Sequence, residues 1–114
     1  MKNQRQFTRK SVSTHVSIFL QDDAQYIGTL ADYSEGGIMV SSYQPVAVGE
    51  VFHFTMVDIP NNIGQKRSGV IEVESVWSHQ LNPTLFGTGF KLLNADEKAA
   101  AMFLSYDQWQ QRHA

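Results

Sequence analysis

Polar and apolar residues alternate with period two along most of this chain. Val12, Thr14, Val16, Ile18 and Leu20 fall on one face of an extended segment, and Ser11, Ser13, His15 and Ser17 on the other. That spacing predicts a half-buried β-strand. Asp22-Asp23 marks a turn. A second strand follows over residues 25–31, interrupted by Gly28, and a third over 37–42. Pro45 and Gly49 bracket a loop, after which Phe52, Phe54 and Met56 alternate with His53 and Thr55 in a strand over 50–57. A turn from Ile59 to Gly64 leads into a long strand over 66–79 and a last one over 84–93. Six strands with short, turn-rich links predict an antiparallel barrel or sandwich.

The period changes at Asn94, a candidate helix cap followed by Ala95-Asp96-Glu97-Lys98 and an alanine-rich stretch. Ala99, Met102, Phe103, Tyr106 and Trp109 recur at intervals of three and four, which predicts a helix over 94–112 with one apolar stripe against the strands. Acids open it, and Arg112 and His113 close it, as the helix dipole favours.

With 114 residues, 42% hydrophobic and 18% charged, the chain suits one domain with a core of its own. Three parts are expected: a flexible basic arm over 1–10, a β-structure over 11–93 and the helix. The net charge of −2 conceals an asymmetry. Lys2, Arg5, Arg9 and Lys10 put four of the nine cations in the first ten residues, without a carboxylate; the rest has five cations against eleven acids, a net of −6. An anionic ligand should therefore be drawn to the arm, and the acidic body argues against a surface for nucleic-acid polymers. The absence of cysteine excludes disulfides and thiolate zinc sites and suits a reducing compartment. Neither a secretory signal nor a run long enough to span a bilayer is visible, so a cytoplasmic address without membrane insertion is expected.

Two stretches carry candidate chemistry. In Arg5-Gln6-Phe7-Thr8-Arg9, with Lys10 beside it, two planar forks offer paired donors to phosphates or to the O6/N7 edge of guanine. In an extended arm the two arginines lie about 13 Å apart, so the arm must bend to bring them onto one small ligand. In Asp32-Tyr33-Ser34-Glu35-Gly36-Gly37 the Asp32 carboxylate can accept from guanine N1–H and N2–H, and the Ser34 hydroxyl can donate or accept. Gly36 and Gly37 would allow positive φ and close backbone approach. Trp77 and, less so, Tyr33 are candidate stacking platforms.

Arg-x-x-x-Arg followed some twenty residues later by Asp-x-Ser-x-x-Gly resembles the signature of the PilZ domain, the bacterial receptor module for cyclic di-GMP. Arg5 and Arg9 match the first motif, and Asp32, Ser34 and Gly37 the second. Trp77, the Gly87-Thr88-Gly89-Phe90 strand and the trailing helix resemble the rest of that fold, from about Gln4 to Tyr106. The resemblance implies a six-stranded antiparallel β-barrel with a C-terminal helix, and a dinucleotide clamped across its outer surface. The arginines would take phosphates and guanine edges, with Gly36, Lys10 and Trp77 as further contacts. Gln4, just before the first motif, stands where the family sets binding of one ligand or a stacked pair. The implied function is second-messenger signalling of the kind that controls motility and biofilm formation. The arm orders on cyclic di-GMP, and an unidentified downstream protein reads the new surface.

The alternative within the family is an adaptor that acts through protein contacts without nucleotide, and a barrel for single-stranded RNA is opposed by the acidic body. Catalysis and a resident cofactor are not expected. His15, His53, His79 and His113 lack metal-ligand spacing, Glu72 and Glu74 read as a solvated strand face, and Ser34 lacks the flanking pattern of a nucleophile elbow.

Overall fold

The computed structural model describes the backbone of residues 10–11, 14–60 and 64–113, and side chains within 14–60 and 64–107. The strands are β1 (Lys10–Ser11), β2 (Val16–Leu20), β3 (Tyr26–Tyr33), β4 (Gly37–Ser42), β5 (Val51–Asp58), β6 (Arg67–Asn82) and β7 (Leu85–Ala95), followed by the helix α1 (Glu97–His113). The order β3-β2-β5-β6-β7-β4 closes through a β3–β4 pairing, so six antiparallel strands form a closed barrel. Closure leaves no open sheet edge among these six.

The first predicted strand divides in two. Residues 14–15 belong to no strand, and the two-residue β1 pairs with the far end of β3, Lys10 opposite Tyr33 and Ser11 opposite Asp32, while β2 pairs with its near end. The later strands run slightly beyond their expected ends: β3 continues to Tyr33, β6 to Asn82 and β7 to Ala95. Asn94 is therefore a strand residue opposite Glu72, and Asp96 is the helix cap, its Oδ1 accepting the Ala99 N–H at 2.8 Å.

Alternation fills the barrel as the sequence predicts. Val16, Ile18, Leu30, Val40, Phe54, Met56, Ile71, Val73 and Phe90 point inward and are buried. Phe54 and Phe90 meet edge to face at 5.2 Å, and burying each such side chain stabilises the fold by roughly 1.5–3 kcal/mol. The helix closes one end of the barrel with its Ala99, Met102 and Tyr106 stripe buried and Phe103 beside it. Trp109, the fifth member of the predicted stripe, lies outside the described side chains.

A buried polar cluster fixes this helix. Asp58, 2% exposed, receives Arg67 through both oxygens, Nε–Oδ1 at 2.9 Å and Nη2–Oδ2 at 2.7 Å. Tyr106 on α1 donates to Asp58 Oδ2 at 2.5 Å, and Arg67 Nη1 donates to Ser105 Oγ at 3.1 Å. Through its hydrogen bond to Asp58 the Arg67 guanidinium is held even more firmly protonated than usual. Burial, reinforced by the same carboxylate, pushes the Tyr106 phenol well above its ordinary range.

Candidate ligand-binding face

Strand register sets one row of residues across the outside of the barrel. Asp32 on β3 lies opposite Met39 on β4, Met39 opposite Gly89 on β7, and Gly89 opposite Trp77 on β6. Two irregularities create the row. The β3–β4 register shifts between Leu30 and Asp32, making Ala31 an extra residue. Simple alternation from inward Leu30 would turn Asp32 inward and Tyr33 outward; the bulge reverses both. The β6–β7 register shifts between Ser75 and Trp77, where Val76 is the extra residue and Trp77 is turned outward in the same way. The row spans four adjacent strands, β3, β4, β7 and β6, with Asp32 at one end and Trp77 at the other.

The floor between them is shaped by a missing side chain. A Cβ on Gly89 would lie 2.2 Å from Trp77 Cε2 and Nε1, so the indole rests flat on the Gly89 backbone. His79, two residues along the same face, stacks on Trp77 at 5.2 Å with a 29° tilt. The result is a broad aromatic surface at one end of the row and an anionic group at the other.

The turn after Asp32 is tightly held. Ser34 and Gly37 exchange backbone hydrogen bonds of 2.8 and 3.4 Å, Ser34 Oγ accepts the Gly36 N–H at 3.3 Å, and Gly36 O accepts the Leu92 N–H at 3.1 Å. The expectation of positive φ here is corrected: glycine takes positive φ at Gly49 and Gly64, and neither Gly36 nor Gly37 does. Close approach is what Gly37 supplies, since a Cβ there would meet the Phe90 carbonyl oxygen at 2.1 Å. Tyr33 points away from this face and is 4% exposed, donating to Asp107 Oδ1 of α1 at 2.8 Å. It is therefore no stacking platform. Burial, then the Asp107 hydrogen bond, raise its phenol pKa well above the ordinary value.

Of the arm residues, Gln4, Arg5 and Arg9 lie outside the described residues, as does the side chain of Lys10. The Lys10 backbone pairs with Tyr33, so the chain reaches the barrel at the middle residue of Asp-x-Ser.

The family model of the PilZ domain matches residues 3–106. The chain belongs to the PilZ domain family. Among solved structures this PilZ domain is similar to the PilZ domain of YcgR from Escherichia coli, a structure with c-di-GMP, at TM-score 0.65 and 13% identity over 97% of each chain. It is also similar to the Bacillus subtilis Inhibitor of motility (MotI/DgrA), at TM-score 0.66 and 14% identity over 99% of this chain and 54% of that one. At such identities the likeness is one of fold. No curated protein matches the chain in a sequence search.

The sequence reading missed Met39, His79 and Gly89 as parts of this face. Gly87-x-Gly89, two small residues at period two, was the available signal. Other groups have structural explanations. His53 Nε2 pairs with Glu72 Oε2 at 3.5 Å on the barrel exterior. Among the described residues no group of three His, Cys, Asp or Glu could hold a metal ion, and no helix is long and apolar enough to cross a membrane.

Proposed function

We propose that this PilZ domain is a cytoplasmic receptor for cyclic di-GMP that delivers its output by contact with another protein. The observation that carries the reading is the pair of bulges turning Asp32 and Trp77 onto one outer face, beside the Ser34 turn. Asp32 accepts from the guanine edge, and Ser34, whose oxygen already receives Gly36 N–H, donates its own proton to the ligand. The Trp77 and His79 rings offer a stacking surface. Arg5, Arg9 and Lys10 supply the cations that two phosphates require, and the acidic body leaves that role to the arm. Binding draws the arm onto the barrel and thereby creates the surface that a partner reads.

Isothermal titration of cyclic di-GMP into the protein, with Arg9→Ala as control, tests this. Micromolar or tighter binding is expected. Loss of one charge-assisted contact, about 1.5–3 kcal/mol, should weaken it roughly ten- to a hundredfold in the variant. No heat at several temperatures from folded protein would overturn the receptor reading in favour of a nucleotide-independent adaptor. Turnover of the ligand would overturn it in favour of an enzyme.

A further inference from the structure

Away from the outer row, the start of β6 and the first turns of α1 enclose a pocket of about 350 Å³ lined by Lys66, Arg67, Ser68, Lys98, Ala101 and Met102. It shares no residue with the Asp32–Trp77 row. The sequence after the arm holds five cations, Lys66, Arg67, Lys91, Lys98 and Arg112, against eleven acids. Three of those five meet in this one pocket, so an otherwise anionic body has a local cationic recess.

The three cations differ in what they can do. Arg67 is committed: two of its nitrogens hold buried Asp58, and a third holds Ser105. It serves as a fixed wall, its charge largely neutralised. Lys66 and Lys98 are exposed, and among the described residues neither forms an ion pair. Glu97, beside Lys98 in the first turn of the helix, does not line the pocket. Lys66 and Lys98 thus bring two cations without an ion-pair partner among the described residues to the lining, beside Ser68 of β6, with Ala101 and buried Met102 as its apolar part.

We propose that this pocket is a second binding site, separate from the outer face, that takes a phosphomonoester carried on a compact nonpolar body. A phosphomonoester bears about −1.5 to −2 charge near pH 7, matching two lysines, and lysine serves phosphate as a mobile point charge. The apolar part of the lining accepts the body of the ligand, and the volume falls within the range of small-molecule sites. The assignment does not rest on the cyclic di-GMP reading.

The test is an amide-resolved NMR titration of the full chain with phenyl phosphate, inorganic phosphate and benzyl alcohol at matched ionic strength, for the wild type and a Lys66→Gln/Lys98→Gln variant. Saturable shifts at the Ser68, Lys98 and Ala101 amides are expected with phenyl phosphate. They should be at least tenfold weaker with inorganic phosphate or benzyl alcohol, and at least tenfold weaker in the variant. Absence of saturable shifts in the wild type, shifts mapping elsewhere, equal affinity for inorganic phosphate, or an unaffected variant would each overturn the proposal. Cyclic di-GMP should leave these amides unmoved in both proteins; saturable shifts there would overturn the separateness of the two sites, whatever it does at the outer face.

Discussion

The Tyr33 hydroxyl donates a 2.8 Å hydrogen bond to Asp107 Oδ1, so the residue between Asp32 and Ser34 is also the one that fastens β3 to the C-terminal helix. The Tyr33 ring packs against Phe103 at 5.6 Å and Tyr106 at 5.9 Å. Tyr33→Phe keeps that packing and removes the hydroxyl, leaving a half-buried carboxylate one donor short. The expected cost is about 1–3 kcal/mol, or a fall in Tm of roughly 5–15 °C. Because the hydroxyl points away from the outer face, under the receptor reading cyclic di-GMP affinity should hardly change. Thermal melts and titration check the two parts separately, and hydrogen exchange should show α1 opening more often.

High pH should destabilise the protein through two phenols. Tyr33 and Tyr106 both have pKa values raised by burial and by their carboxylate partners. An unfolded tyrosine ionises near pH 10, so above that the unfolded chain has released protons that the folded chain retains. The unfolded state then binds fewer protons, and stability falls as pH rises. The contribution is complete below about pH 10 and disappears as pH climbs through the raised values. Denaturant midpoints measured between pH 9 and 12 should fall less steeply for Tyr33→Phe/Tyr106→Phe than for the wild type; equal slopes would dismiss the two phenols as the cause.

Much of this barrel was legible because alternation reports burial directly: Val16, Ile18, Phe54 and Met56 are inward as their spacing predicts. The bulges at Ala31 and Val76 were not legible, since one extra residue in a strand leaves no trace in composition. They nevertheless decide the face, for a strict period of two would send Asp32 and Trp77 into the core. The Asp58–Arg67–Tyr106 cluster was hidden for another reason: its members lie 9 and 48 residues from Asp58, and only closure of the barrel under α1 brings them together. Asn94 and Asp96 are both good caps locally. Pairing of β7 with β6 out to Ala95 makes Asp96 the one that is used.

Breaking the buried ion pair should cost more than removing either phenol hydroxyl. Arg67→Met leaves the Asp58 carboxylate almost fully buried, with Tyr106 still donating but without its cation. Leaving a buried charge uncompensated costs about 3–5 kcal/mol. In Asp58→Asn/Arg67→Met no carboxylate remains to be stranded, so the double variant should recover a substantial part of that loss. Urea denaturation of both variants measures the difference. A double variant as unstable as Arg67→Met would show that the Arg67 guanidinium over the Tyr106 ring, 5.9 Å from guanidinium carbon to ring centre, and its bond to Ser105 matter more than the pairing with Asp58.

Gly37 and Gly89 should respond differently to the same added methyl group. At Gly37 the new Cβ meets the Phe90 carbonyl oxygen at 2.1 Å, backbone against backbone inside a paired strand, and nothing nearby can turn aside. Gly37→Ala must therefore separate β4 from β7 locally, with an expected cost above about 2 kcal/mol. At Gly89 the Cβ meets the Trp77 indole, a side chain on the barrel exterior that can swing outward. Gly89→Ala should leave the fold nearly intact, shift Trp77 fluorescence towards that of an exposed indole, and unstack it from His79. Under the receptor reading the same variant should weaken cyclic di-GMP binding by several-fold while its denaturation midpoint hardly moves. If Gly89→Ala instead unfolds the protein as readily as Gly37→Ala, the indole is a fixed part of the barrel wall and not an available ligand surface.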